Sequence, residues 1–334
     1  MAAKTLLLIG AGHANLLLTC QVRRLRAAGL DPVMLSPRWF HYSGLATGVL
    51  SGALPDDANR VDVAALCACR GIFHVDASCT GIEDGRARID GGGALPFDFA
   101  SVNVGSHVAA PFPAVPAKPL ANLTVLKRRL IAAGRARIAV AGAGPTGTEI
   151  AACLAGLAER QRLDLAITLC GPRPDWPGLY RSLAGRGVAL EDAKIVGHAE
   201  GAALLDGGGR IPVDEIVAAT GLVGGPPAIP VDATLRSRDD PRIFAAGDCA
   251  DFLPRPLPKH GVFGVRQAPV LLRNLIAAAE GRPLARYRPQ RRWLSIMDLG
   301  DGSGFATWGG LSHRSRAALL VKRRLDLAFV SRFR

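Results

Sequence analysis

The sequence predicts an α/β fold with two Rossmann-like dinucleotide-binding units, because two short apolar runs each pass directly into a glycine turn and then a helical stretch. The first is Thr5-Leu-Leu-Leu-Ile9 followed by Gly10-Ala-Gly12, and the second is Arg137-Ile-Ala-Val-Ala141 followed by Gly142-Ala-Gly144-Pro-Thr-Gly147. They lie 132 positions apart (142 minus 10), which fits one nucleotide-binding domain preceding another.

Each element has its own justification. A continuously apolar run is what a buried parallel strand requires. Gly10 permits a tight turn, Gly12 the close approach of a pyrophosphate, His13 and Ala14 continue the cradle, and a helix is expected over 16–28, whose N–H groups and dipole favour that anion. Asn15 stands where a third glycine is usual, so this copy alone is equally an ordinary strand-turn-helix. The second copy is complete: Gly142, Gly144 and Gly147 are all present, Pro145 and Thr146 lie between, and Thr148 to Ala155 continues as helix. Neither copy places an acid at the end of its second strand to hold a ribose. The first ends in Ser36 and Arg38, candidates for the cofactor, where Ser36 replaces a carboxylate by a weaker hydrogen bond; the second ends in Cys170, Gly171 and Arg173, where the arginine suits a 2′-phosphate or is solvated surface. NADH and NADPH are not distinguished.

Composition narrows the class. Of 334 residues 49% are hydrophobic and 21% charged, a globular balance, and no apolar run approaches the about 18 residues of a spanning helix. The net charge of +13 attracts phosphates or anionic head groups, but 5% aromatics and the lack of a zinc-finger or RNA-binding signature argue against nucleic acid. Seven cysteines without a regular framework suit a reduced cytoplasmic setting, and no metal site is expected. Met1 to Ala14 imitates a secretory leader, yet its glycines serve the cradle better, and it reads as mature protein. An apolar strand before Gly247 and Asp248 delivers the aspartate to the carboxyl end of a sheet, where open α/β folds place ligands.

With these parts in place the chain resembles the pyridine nucleotide-disulfide oxidoreductase superfamily, flavoproteins with two dinucleotide-binding domains. The segment Asp98 to Ser106 with Gly105 looks like the family's first FAD turn, Val217 to Gly221 with Thr220 and Gly221 like the turn closing the nucleotide domain, and Arg242 to Ala250 like the second FAD motif. Closer likeness is to type II NADH:quinone dehydrogenases and to the flavoprotein module joined to selenide, water dikinase, through Gly10 to Ala14, Tyr42 to Gly48, Leu257 to Pro269, and Tyr287 to Ser295 with Ala306 to Gly310. The resemblance implies FAD on the first cradle, NAD(P)H as co-substrate on the second, hydride transfer to FAD, and delivery to a quinone-like small-molecule acceptor. It assigns Asp248 to the ribityl chain, Glu149 to the nicotinamide side, Lys259 to the flavin's pyrimidine side and Gln267 to the acceptor pocket; His260 is a candidate proton relay. Glu149 is equally a first-turn acid favoured by the helix dipole, and a lone histidine such as His260 is more often structural or surface.

No cysteine pair has the spacing of a disulfide reductase; Cys67 and Cys69 are expected to be packed thiols on a helix, and Cys249 packing beside Asp248. At the carboxyl end, Ala318, Val321, Leu325, Ala328 and Phe329 share one helical face amid cations. That helix suits peripheral attachment at the inner face of the cell membrane, packing on its own domain, or a homodimer. The expected organisation is FAD-binding segments at 1–115 and 236–290, an NAD(P)H domain at 116–235 and an interface segment at 291–334, with crossings at 110–119 and 224–230. The alternatives are an FAD-binding sensor or accessory protein with little turnover, a sulfur- or selenium-linked flavoprotein, and a protein binding lipid or nucleic acid by charge alone.

Overall fold

The computed structural model describes residues 3–225 and 228–334, so Met1 and Ala2 of the leader-like segment and Pro226 and Pro227 of the second crossing lie outside the described residues. Four strands, β1 (Lys4–Ile9), β2 (Leu30–Leu35), β3 (Phe73–Val75) and β4 (Phe99–Val102), run parallel. A second parallel sheet is formed by β5 (Val115–Pro116), β6 (Arg135–Ala141), β7 (Asp164–Cys170), β8 (Val188–Glu191) and β9 (Glu215–Ala218), in the order β5-β9-β6-β7-β8. The chain then returns, and β10 (Ile243–Ala245) pairs with β4 to complete the first sheet as β3-β2-β1-β4-β10. A three-stranded antiparallel sheet of β11 (Ser295–Asp298), β12 (Gly304–Trp308) and β13 (Leu311–Ser315) ends the strand sequence.

Helices cover these sheets because the central strands are apolar on both faces. Leu6, Leu8 and Ile9 are fully buried, as are Ala139, Val140 and Ala141. Between β1 and β2 the chain forms α1 (His13–Thr19) and α2 (Val22–Ala27), not the single helix expected over 16–28. At the break the Thr19 hydroxyl donates to Leu16 O at 2.7 Å and Cys20 N to Leu17 O at 3.2 Å, a tightened last turn. α3 (Ser43–Leu50) and α4 (Val63–Cys69) complete the first unit before the crossing. α4 buries Cys67 as expected but leaves Cys69 exposed, while Cys249 is buried. In the second sheet α5 (Ala121–Ala133), α6 (Pro145–Gln161) and α7 (Pro177–Ala184) join successive strands, α8 (Gly261–Ala279) follows β10, and α9 (Arg316–Val330) follows β13. Ala46 and Leu50 of α3 share a core with Ile150 and Leu154 of α6 and Met297 and Phe305 of the carboxyl-terminal sheet, so the units are packed against one another.

The inward face of α9 differs from the expected one. Leu319, Asp326, Phe329 and Val330 are buried and Lys322 is half-buried, whereas Val321, Leu325 and Ala328 are exposed. The charged groups turn inward because each finds a partner there: Lys322 Nζ donates to Asp326 Oδ2 at 2.9 Å and to the Gly44 carbonyl, and Tyr42 Oη donates to Asp326 Oδ1 at 2.8 Å. Apolar periodicity carries no trace of that pairing.

Candidate functional site

Strand register builds the site. Ile9 is level with Leu35 and Val102, and Val102 with Ala245, so the residues that follow each strand emerge along one edge of the first sheet. There Gly10 takes φ +81°, and a Cβ on Gly12 would lie 2.4 Å from both the carbonyl oxygen and Oδ1 of Asn103. Asn103 is the organising residue that sequence reasoning missed. Its carbonyl accepts from Gly12 N at 2.9 Å, its Oδ1 from Ala14 N at 2.8 Å, and its Nδ2 donates to Ala246 O, joining the ends of β1, β4 and β10. Asn15, in the place of the third glycine, is buried and donates to Gly10 O at 2.8 Å and Ser101 O at 2.9 Å, closing the loop by hydrogen bonds.

The His13 ring lies among Phe40, Tyr42 and Phe329, with centroids 5.7, 5.4 and 5.2 Å away. Burial drives its pKa down to about 4, against the opposing pull of Asp248, so the ring is neutral at pH 7. Ser36 and Arg38 are used within the chain. The Ser36 hydroxyl, buried, donates to Pro37 O at 3.1 Å, and the exposed Arg38 guanidinium pairs with Asp62 at 2.8 Å.

Past β10, Gly247 at φ +73° turns the chain so that Asp248 faces Ser106, whose hydroxyl donates to Asp248 Oδ2 at 2.6 Å, while Lys259 Nζ donates to Asp248 O at 2.6 Å. Gly105, φ +79°, precedes Ser106. Gln267, expected in an acceptor pocket, is buried in α8 and accepts from Gly247 N at 2.6 Å, bracing this turn. His260 caps α8, its Nδ1 accepting from Val262 N at 3.3 Å, and burial lowers its pKa. That cap places the ring proton on Nε2 and gives His260 a structural task.

The second sheet repeats the geometry. Ala141 is level with Cys170 and Ala218, and Gly142 leaves the strand at φ +99°. A Cβ on Gly147 would sit 1.7 Å from Gly142 O, whereas one on Gly144 meets nothing within 4 Å. Pro145 and Thr146 begin α6, whose amino end has no side-chain cap, so its first-turn donors face an open cradle. Thr220 Oγ1 donates to Ala109 O at 3.1 Å, and Gly221 takes φ +127° beside it. Beyond the ends of β7 and β8 opens a cleft of about 530 Å³ lined by Arg173, Trp176, Tyr180, Arg181, Leu190 and Asp192. Arg173 pairs with Asp192 at 2.6 Å and lies over the Tyr180 ring, while its Nη1 is enclosed without a hydrogen-bond partner.

Glu149 stands apart from that opening. It accepts from Thr47 Oγ1 at 2.9 Å and from Asp298 N at 2.8 Å, so it ties α6 to α3 and to the end of β11. Burial pushes its pKa up, with Lys322 pulling the other way. Thr47, Asp298, Lys322 and Asp326 were not anticipated; the only sequence signal was the four-residue spacing of the last pair.

Both cradles fit a dinucleotide. The absent Cβ of Gly12 lets the first loop close against Asn103, that of Gly144 leaves an open approach, and Asp248 offers Oδ1 unpartnered among the described residues. Fold and site together define an oxidoreductase built on two nucleotide-binding units. The chain belongs to the pyridine nucleotide-disulphide oxidoreductase family, whose profile matches residues 4–270. That membership implies FAD and NAD(P)H. The chain is 26% identical to the probable ferredoxin reductase CtmF of Castellaniella defragrans, over 87% of this chain and 79% of that protein. In fold it is similar to the sulfide:quinone oxidoreductase of Aquifex aeolicus, with TM-score 0.79, 14% identity, and coverage of 99% of this chain and 92% of that one. It is also similar to the ferredoxin reductase for the CYP199A2 system of Rhodopseudomonas palustris, with TM-score 0.71, 19% identity, and coverage of 97% and 95%.

Proposed function

We propose that this protein is an FAD-dependent NAD(P)H dehydrogenase that passes electrons to a quinone-like acceptor at a membrane surface. FAD is assigned to the first cradle with segments 1–115 and 236–290, NAD(P)H to 116–235, and acceptor delivery to 291–334. When bound, the flavin supplies the hydride-accepting chemistry. The chain's part is to hold and orient. Gly10, Gly12, His13 and Ala14 admit the pyrophosphate; Gly105, Gly247 and Asp248 receive the rest of FAD. Gly142, Gly144, Thr146 and Gly147 hold the coenzyme, and the Arg173 cleft takes its adenosine end. Neutral His13 keeps a positive charge out of the aromatic pocket, while Lys259 contributes one beside Asp248, where an anionic cofactor gains from it.

The observation that carries the acceptor reading is the outward face of α9. Leu320, Val321 and Leu325 are 68%, 46% and 58% exposed, Leu311 and Trp308 of the adjoining hairpin 75% and 59%, and exposed Arg316 and Arg324 lie among them. An apolar patch with interspersed arginines suits an anionic bilayer interface, where lipid-soluble quinones reside. Among the described residues no helix is long and apolar enough to cross a membrane. A second reading, a ferredoxin-type protein as acceptor, is supported by the similarity to CtmF and by the net charge of +13.

Anaerobic addition of NADH and NADPH, separately, to the FAD-loaded protein tests the proposal. Bleaching by at least one coenzyme is expected, then reoxidation by a quinone, faster with anionic vesicles present. Reoxidation by a ferredoxin alone transfers the assignment to the second reading, and an unbleached flavin points to a nucleotide-holding sensor.

A further inference from the structure

The carboxylate of Asp248 is gripped by a residue from the other unit. Lys118, on the crossing that leads into α5, places Nζ 3.2 Å from Asp248 Oδ2 and 3.0 Å from the Ser106 hydroxyl, which itself donates to the same Oδ2. Asp248 closes the first sheet at the end of β10, so a cation from the second unit reaches back across the junction. The pair is shielded, the Asp248 side chain being 9% exposed and that of Lys118 24%. Two donors thus converge on one oxygen, and among the described residues Oδ1 has none. An enclosed carboxylate is costly unless its oxygens are paired. One pinned oxygen beside one free oxygen makes Oδ1 an acceptor held ready for a hydroxyl from outside the chain.

We propose that Lys118 is a positioning residue for FAD: with Ser106 it fixes Oδ2 so that Oδ1 is presented to a hydroxyl of the cofactor, making flavin retention by the first unit depend on a residue of the second. The inference rests on the assignment of FAD to the first cradle. Because Lys118 acts through Asp248, the effects of removing the two are coupled.

The test is the dissociation constant for FAD of the full-length chain, followed by flavin fluorescence on release from the holoprotein, for wild type, K118M, K118R, D248N and the K118M/D248N double variant. K118M and D248N are each expected to weaken binding about tenfold or more, as loss of a hydrogen bond to a charged group does. The double variant binds no more weakly than D248N, and K118R recovers most of the loss. Wild-type affinity in K118M, or losses that multiply in the double variant, overturns the proposal. A K118M chain that loses its fold rather than its flavin, as judged by far-ultraviolet dichroism, also counts against it. A wild-type chain that retains no FAD overturns the cradle assignment itself, a different result from unchanged binding in K118M.

Discussion

At the scale of single residues, the two cradles contain glycines that do different work. Gly12 is a packing glycine: a methyl there collides at 2.4 Å with both oxygens of Asn103, the residue that joins three strand ends. Gly144 is the glycine we assign to the coenzyme: its backbone is extended, at φ −67°, and its absent Cβ opens on empty space. Gly12→Ala is therefore expected to lower unfolding stability by about 1 to 3 kcal/mol, the usual cost of forced overpacking. Gly144→Ala is expected to leave stability within about 0.5 kcal/mol while weakening coenzyme binding about tenfold. Urea unfolding and coenzyme titration of both variants separate the two roles, and equal stability losses would contradict the distinction. Both glycines stand in the sequence motif, yet the motif does not tell them apart, because the atoms that Gly12 must clear come from position 103.

At the scale of elements, α9 is the informative case. Its charged residues Lys322 and Asp326 point inward to Tyr42 and Gly44, and Leu320, Leu325 and Leu327 point out, while Leu319 is buried. Such an arrangement makes the outer face dispensable for folding and available for a surface. The double change Leu320→Glu with Leu325→Glu is expected to abolish sedimentation with anionic vesicles while shifting the melting temperature little, since both residues are exposed. Asp326→Ala is expected to destabilise, because it strands Lys322 and the Tyr42 hydroxyl. Undiminished vesicle binding by the leucine double variant would remove α9 as the attachment surface. The helix itself was legible from sequence; which way it faces was not, because the Lys322–Asp326 ion pair and its hydrogen bonds to Tyr42 and Gly44 override apolar periodicity.

At the scale of the whole molecule, the histidines set an acid limit on stability. His13, His41 and His260 all have pKa values lowered first by burial, His13 to about 4 from 6.5. Between those values the unfolded chain binds protons that the folded chain refuses, so stability falls as pH drops below about 6.5 and the loss from His13 is complete below about 4. For His13 alone the full loss is roughly 3 kcal/mol. Asp56, Asp62, Asp214 and Asp240, whose pKa values are lowered first by hydrogen bonds from lysine or arginine, add a further loss on going below the ordinary carboxylate range. Unfolding free energies at pH 7 and pH 5 are expected to differ in favour of pH 7, and His13→Asn is expected to flatten the difference. A wild-type chain equally stable at both would refute the assignment.

The α/β class, both glycine cradles and the return of the chain through Gly247 and Asp248 were determined by the sequence itself. These features depend on local patterns, an apolar strand and a turn that only glycine allows, and local patterns survive in one dimension. The partners were decided only by the tertiary structure: Asn103 beneath Gly12, Gln267 behind Gly247, Thr47 and Asp298 around Glu149, and Lys118 on Asp248. Each links segments from 20 to 149 positions apart. A hydrogen bond is fixed by distance and direction between two atoms, and those exist only once parallel strands in register have brought their ends to a common edge.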